Sequence, residues 1–250
     1  MAKPEEILRE ILMTVVSQYG KVLAAHKGLD IEVGRFKKED MVRVIKEKGV
    51  TLILDASHPY AAIVSETALA ASRETGIDYV RYERAEIPLP DYDKLYHAKD
   101  EYEAAKLAGS LGKSVLLTTG SKTLPVFVHE PSLQDKTIWA RVLPVSNVIK
   151  MCEDLGMKAK NILAIQGPFS YEMNLAMIRD YHCDVKLTKN SGLIGGSDTN
   201  LKAAKDSGIS VIVIDKPKAD LKGVPVFDTT EGVLKYMEEH YGFHQKPESH

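Results

Sequence analysis

The stretch Thr51-Leu52-Ile53-Leu54-Asp55-Ala56-Ser57-His58-Pro59-Tyr60-Ala61 decides how the chain is read. Its first four residues are apolar or β-branched and too few for a helix, so they read as a buried strand. A polar turn follows, carrying a carboxylate, a hydroxyl, an imidazole and a phenol, and Ala62–Glu74 then runs on as a helical segment. A strand that passes through a tight turn into a helix is half of a βαβ unit. The same alternation recurs on both sides. Strands are expected at Ile11–Val16, Ile31–Val33 and Tyr79–Tyr82, with a helix near Lys38–Lys48 that places Met41, Val42 and Ile45 on one face. Further along, strands are expected at Val115–Thr118, Ile138–Val142, Ile162–Ile165, Val185–Thr188 and Val211–Ile214. Helices near Asp100–Leu111, Ser146–Leu155, Ser170–Tyr181, Thr199–Ser207 and Glu231–His240 separate or follow them, with Ser146 and Ser170 suited to the N-cap. The fold class is α/β with mainly parallel sheets.

The stretch Glu86–Asp93 carries Pro88 and Pro90 and can continue neither a helix nor a central strand. It divides the chain into an expected N-terminal domain over residues 1–87 and a C-terminal domain over 94–242, with residues 243–250 as a fraying tail. The 250 residues include 33 basic and 35 acidic side chains and carry a formal charge of −2, so no global field draws the chain to nucleic acid or to an anionic membrane. Any anion must be met locally. Cys152 and Cys183 are unclustered, which makes neither a disulfide framework nor a zinc site, and a reducing compartment is expected. Met1–Glu10 lacks the apolar core of a signal peptide and no apolar run is long enough to span a bilayer, so the expectation is a soluble, cytoplasmic protein.

In open parallel sheets ligands bind beyond the carboxyl ends of the strands. The turn Asp55–Ala61 lies at one such end; either it binds a ligand through Ser57, His58 and Tyr60, or Asp55 or Ser57 merely caps the next helix and His58 is solvated. Tyr79–Tyr82 runs into Glu83-Arg84, and Arg81 and Arg84 suit carboxylate or phosphate recognition as well as a solvated surface. Thr119-Gly120-Ser121-Lys122 resembles an anion-binding turn but lacks the spaced glycine of a Walker motif. Arg141 stands at another strand end. Gln166-Gly167-Pro168-Phe169-Ser170 leads into a helix bearing Asn174, and Lys189-Asn190-Ser191-Gly192-Leu193-Ile194-Gly195-Gly196 leads into one bearing Lys202. Glycines there allow backbone amides to approach a ligand, and they equally serve plain flexible connections.

Taken in order, these blocks resemble the precorrin-6A reductase family, cobalt-precorrin-6A reductases included, from about Val16 to Ile214. The family carries an Asp-Ala-Thr/Ser-His-Pro-Tyr-Ala turn, a Thr-Gly-Ser-Lys turn, a Gln-Gly-Pro-Phe-Ser turn and a Lys-Asp-Ser-Gly loop with a following Gly-Gly. Ser17-Gln18-Tyr19-Gly20 and Gly34-Arg35 resemble its loops after earlier strands. The resemblance implies two Rossmann-like domains with a cleft between them, and NADH or NADPH as the source of a hydride for one carbon of a tetrapyrrole macrocycle. His58, Tyr60 and Lys189 have chemistry suited to a proton donor and are the candidate catalytic groups. Ser17, Tyr19, Gly20, Arg35, Ser57, Thr119, Gly120, Ser121, Lys122, Gln166 and Gly167 are the cofactor candidates. Arg81, Arg84, Arg141, Ser170, Asn174, Asn190, Ser191, Gly192, Gly195, Gly196 and Lys202 are the substrate candidates, the cations among them meeting a polyanionic ligand. No metal site is expected.

Two departures stand out. Asn190 replaces the family's usual aspartate. The family also opens with an apolar strand and a Gly-Gly-Thr-like turn, which Met1–Glu10 does not supply, so either the natural start lies upstream or a central strand is lost. In the second case two strand edges are expected to lack a partner. A non-catalytic tetrapyrrole-binding protein and a general nucleotide-binding module are the competing readings.

Overall fold

The computed structural model describes residues 11–25, 29–191 and 196–242. The elements run β1 (Leu12–Val15), α1 (Gln18–Ala24), β2 (Asp30–Val33), α2 (Lys38–Lys48), β3 (Leu52–Asp55), α3 (Ala62–Thr75) and β4 (Asp78–Tyr82). There follow β5 (Leu95–Ala98), α4 (Glu101–Leu111), β6 (Ser114–Leu117), α5 (Leu124–His129), β7 (Thr137–Val142), α6 (Ser146–Asp154) and β8 (Ile162–Ala164). The last are α7 (Tyr171–Asp180), β9 (Val185–Lys189), α8 (Ser197–Asp206), β10 (Ser210–Ile214), β11 (Val226–Phe227) and α9 (Thr230–Tyr241). Among the described residues no helix is long and apolar enough to cross a membrane.

The chain divides into two compact units: residues up to Ile53 with Glu66–Tyr79, and Leu54–Ser65 with residues from Val80 onward. The division passes through β3, α3 and β4, away from the proline segment at 86–93. Leu54–Ser65 goes with the second unit because the turn after β3 bonds into it, as the site shows below.

In the first unit β1 and β2 pair in parallel from Leu12↔Asp30 to Val15↔Val33. The expected apolar face of α2 supplies Val42 and Ile45 to a small core that also holds Ala71. The helix ends at Gly49, whose φ of +66° is left-handed backbone that glycine adopts without strain. Among the described residues β1 pairs only with β2, and β3 only with β4, β4 pairing in turn with β11.

The second unit is built on a six-stranded sheet ordered β5-β10-β9-β6-β7-β8, parallel throughout. Alternate side chains of each strand go to opposite faces. Val115 and Leu117 meet Ala104, Ala105 and Ala108 of α4, Phe127 of α5 and Cys152 of α6 on one face. Leu116, Val211 and Val213 meet Ile178 of α7 and Leu201, Ala203 and Ala204 of α8 on the other. Coverage on both faces is why these strands read as continuous apolar runs rather than alternating ones.

All nine expected strands form. The sequence reading missed β5 and β11, which are short, and the helices α1 and α5. Ser170 does cap α7, accepting from the Met173 amide at 3.2 Å. Ser146 does not cap α6: Val145 occupies the N-cap position and Ser146 is already helical.

Candidate active site

The six-stranded sheet changes direction between β6 and β9. From β6 the chain turns to α5 on one face, and from β9 it turns to α8 on the other. Between two connections that diverge in this way a crevice opens at the carboxyl ends of the strands, where such sheets bind ligands. Thr118 closes the ladder there, donating from its amide to Leu187 O at 2.9 Å and from its hydroxyl to the same oxygen at 2.7 Å. Thr119 and Thr123 then join hydroxyls at 2.9 Å across the next turn. Inside that turn Gly120 takes a φ of +86°, and a Cβ added to it would find no atom within 4 Å. The turn therefore has open space against its backbone, with Ser121 beside it and Lys122 exposed.

The turn after β3 is internally braced. Asp55 Oδ1 accepts from the Ser57 amide at 2.9 Å, a local side-chain turn that keeps the chain from entering a helix at once. Arg81 lies beneath, 1% exposed, its Nη1 2.9 Å from Asp55 Oδ1 and donating to Ser57 Oγ at 2.9 Å. Its Nε lies 3.3 Å from Glu83, which Lys216 holds from the far side at 2.6 Å. Arg81 and Ser57 were expected to meet substrate and cofactor; the structure turns both into the protein.

His58 and Tyr60 share this turn. The His58 Nδ1 accepts from the Tyr60 amide at 3.2 Å, so in the neutral ring the proton resides on Nε2. Burial, followed by the charges of Arg84, Lys189, Lys122 and Arg81, pushes the imidazole down to about 4. It is neutral near pH 7, with its one N–H at Nε2. Tyr60 donates its hydroxyl proton to Ile214 O at 2.8 Å and accepts from the Asn190 amide at 3.0 Å. Burial pushes its phenol up to about 12.

Lys189 ends β9 with its ammonium 5.0 Å from the centre of the Tyr60 ring. Burial lowers its pKa, and Lys122 adds to the effect while Glu101 opposes it. The carboxamide of Asn190, 5% exposed, is used in both directions on one residue: Nδ2 donates to Ile87 O at 2.8 Å and Oδ1 accepts from the Ile87 amide at 3.3 Å. Ser191 donates its amide to Ser197 Oγ at 3.0 Å. Gly196 has a φ of +68°; Gly192 and Gly195 lie outside the described residues.

On the α7 side of the sheet, Arg141 stacks on Phe169 at 4.4 Å and donates to Asn174 Oδ1 at 2.8 Å. Asn174 in turn donates to Ser170 O at 2.9 Å. Burial lowers Arg141 to about 10, and among the described residues no carboxylate lies within 4 Å of it. Ser170 and Asn174, expected as ligand contacts, cap the helix and hold Arg141. At Gly167 a Cβ would stand 2.8 Å from the Phe169 ring, so a larger residue there would have to displace that ring. Gln166 precedes it at the end of β8. Lys202 pairs with Asp206 and lies over the Tyr171 ring at 4.9 Å on the exposed side of α8.

The first unit places Ser17, Tyr19, Gly20 and Arg35 at neighbouring strand ends. Ser17 Oγ accepts from the Gly20 amide at 3.0 Å as the cap of α1. The Gly34 amide bonds to Val15 O at 2.8 Å, which brings the exposed Arg35 beside the end of β1.

Sequence reasoning passed over Lys186. It sits in β9 between Val185 and Leu187, where a lysine normally marks a solvent face, yet it is 1% exposed and donates to Asn200 O at 3.3 Å. It also passed over the Glu83–Lys216 pair, for which no local signal exists.

A parallel sheet whose switch point gathers Lys122, Lys189, a half-buried Arg84 and a neutral histidine places the chain in the α/β, Rossmann-like class. A model of the family "Precorrin-6x reductase CbiJ/CobK" matches residues 4–238, and the chain belongs to that family. It is 39% identical over 226 residues to a cobalt-precorrin-6A reductase of Priestia megaterium, covering 90% of this chain and 88% of the relative. The corresponding protein of Salmonella typhimurium is 39% identical over 206 residues, 82% of this chain and 78% of its own. A solved CobK precorrin-6A reductase shares the fold, with a TM-score of 0.71 over 92% of this chain and 97% of that chain at 22% identity.

Proposed function

We propose that the chain reduces cobalt-precorrin-6A to cobalt-precorrin-6B with NADH or NADPH, and that Lys189 delivers the proton. Family membership makes it an oxidoreductase acting on a carbon–carbon double bond of the precorrin-6 macrocycle in cobalamin biosynthesis. The observation that carries the assignment of the site is the gathering of Arg84, Lys122 and Lys189 around His58 at the β6/β9 switch point. Cations gathered this way, Arg84 and Lys189 half-buried among them, repel one another, and an anionic ligand relieves that cost. The open backbone at Gly120 fits a phosphate in kind, with turn amides, the Ser121 hydroxyl and the Lys122 ammonium at hand. A reduced nicotinamide, when bound, supplies the hydride that adds to one carbon of the double bond.

The chain's own groups supply the other half. The neighbouring carbon takes a proton, and an ammonium of lowered pKa gives one up more readily than an ordinary lysine. Lys189 fits that task and regains its proton from solvent after turnover. Tyr60 does not fit it, since its proton is engaged on Ile214 O and held by a phenol at about 12. Neutral His58 presents Nε2–H as a donor that can orient a ligand carboxylate. Arg81 acts through the turn rather than on substrate. Arg141, stacked on Phe169 with no acidic partner among the described residues, suits a macrocycle carboxylate.

Purified protein with cobalt-precorrin-6A and either cofactor tests this through loss of reduced-nicotinamide absorbance. Turnover is expected with at least one cofactor, and Lys189→Met should lower kcat by roughly 10²-fold or more with little change in KM. No turnover with either cofactor sinks the catalytic reading, and a fully active Lys189→Met sinks the proton assignment alone.

A further inference from the structure

The end of the β9–β10 ladder carries an oxygen that belongs to neither strand. Ser210, paired with Val185, donates to Asp184 O at 2.9 Å, and the register continues to Ile214↔Lys189. Parallel rungs repeat every two residues, so the rung after Lys189 would run from the Asn190 amide to Ile214 O. That bond is not made directly. The Asn190 amide donates to the Tyr60 hydroxyl at 3.0 Å, and the hydroxyl donates onward to Ile214 O at 2.8 Å. Tyr60 thus enters the last rung and holds the two strand ends apart by one oxygen. The ring of the same residue lies 5.0 Å from the Lys189 ammonium.

We infer that Tyr60 is the positioning residue for Lys189: its hydroxyl fixes where β9 ends, and its ring face fixes where the ammonium rests. This rests on the reading that Lys189 delivers the proton. The strand ends would otherwise close into an ordinary rung and carry Lys189 with them. An aromatic face also favours the charged amine, which keeps the proton on Lys189 against burial. The charged or titratable groups facing Lys189 are Glu101 of α4, Lys122 of the turn after β6, and His58 and Tyr60 of the turn after β3. Of these Glu101 favours the ammonium and Lys122 opposes it, so the ring is the neutral contributor that a substitution can isolate.

Tyr60→Phe keeps the ring and removes the hydroxyl. It should lower kcat about tenfold, the worth of one misplaced hydrogen-bonding contact, with KM for cobalt-precorrin-6A nearly unchanged. The titration of Lys189, followed without substrate by the NMR signal of its 13C-labelled Cε, should stay where it is in wild type. Pentafluorophenylalanine at the same position keeps the shape and reverses the ring's charge distribution. It should move that titration down by about half a pH unit or more. A wild-type kcat in Tyr60→Phe overturns the inference, as does a Lys189 titration identical in the phenylalanine and pentafluorophenylalanine proteins. Should neither variant fold, the wild-type protein decides: a tyrosine hydroxyl proton protected from exchange, with a cross-relaxation contact to the Asn190 amide, is expected, and its absence overturns the wedge. If instead Lys189→Met retains full kcat, the proton assignment fails while the titrations still report on the ring and the hydroxyl separately.

Discussion

Asn190→Asp is the substitution for which the structure gives the clearest arithmetic. Asparagine at 190 both donates to Ile87 O at 2.8 Å and accepts from the Ile87 amide at 3.3 Å, with 5% of its surface exposed. An ionised aspartate keeps the second bond and loses the first, and it sets an oxygen against the Ile87 carbonyl. Losing a neutral hydrogen bond costs about 1 kcal/mol, and leaving a buried acceptor unpaired adds about 1–3, so about 2–4 kcal/mol is expected near pH 8. Protonation repairs the defect, because a carboxylic acid donates to Ile87 O. The folded-state pKa of the introduced carboxyl should therefore lie above its unfolded value near 3.9. A penalty of about 2–4 kcal/mol corresponds to a rise of roughly 1.5–3 pH units, which sets a window from about 4 up to between about 5.5 and 7. An acid with a raised folded pKa stabilises the folded state below that window and loses the contribution as pH rises through it. Urea unfolding of wild type and variant at pH 8 and pH 4.5 measures this. A stability loss that is the same at both pH values, or that stays below about 0.5 kcal/mol at pH 8, refutes the double bond to Ile87.

Arg81→Met is expected to cost about 3–5 kcal/mol in denaturant unfolding, because it removes the guanidinium paired with the buried carboxylate of Asp55. Arg84→Met, half-buried and without an ion pair within 4 Å among the described residues, should change stability by less than about 1 kcal/mol. It should instead weaken macrocycle binding, so equal destabilisation by the two variants would dissolve the distinction drawn between them. Burial, with Arg141 adding, lowers the pKa of Lys186 well below that of a free lysine. The unfolded chain then holds a proton that the folded chain lacks, up to about pH 10.4, and stability rises with pH over that window by about 1.4 kcal/mol per unit. Lys186→Met should abolish this slope in the range just below about pH 10; a wild-type slope in the variant shows that Lys186 is charged in the fold there.

The parallel α/β class was legible in the residues alone, because runs such as Val211–Ile214 must be covered on both faces and the stretches between them are of helical length. So were the turns that matter, since polar residues and glycines at strand ends are visible without coordinates. The strands β5 and β11 were not legible, being too short to show a period and recognisable only by their neighbours. The site was half legible. Lys122, Lys189 and Arg141 stand at strand ends as the pattern implied, but nothing local distinguishes Arg84 from Arg81. What sets Arg81 apart is Asp55, 26 positions away in sequence. Tyr60 read as a reacting group and Asn190 as a substrate contact because a phenol and an amide have the right chemistry. Folding alone reveals their hydrogen bonds consumed by Ile214, Ile87 and each other. A side chain's chemistry is written in its residue type, whereas its free valences depend on partners brought near by folding, and those partners lie too far along the chain for any local pattern to name.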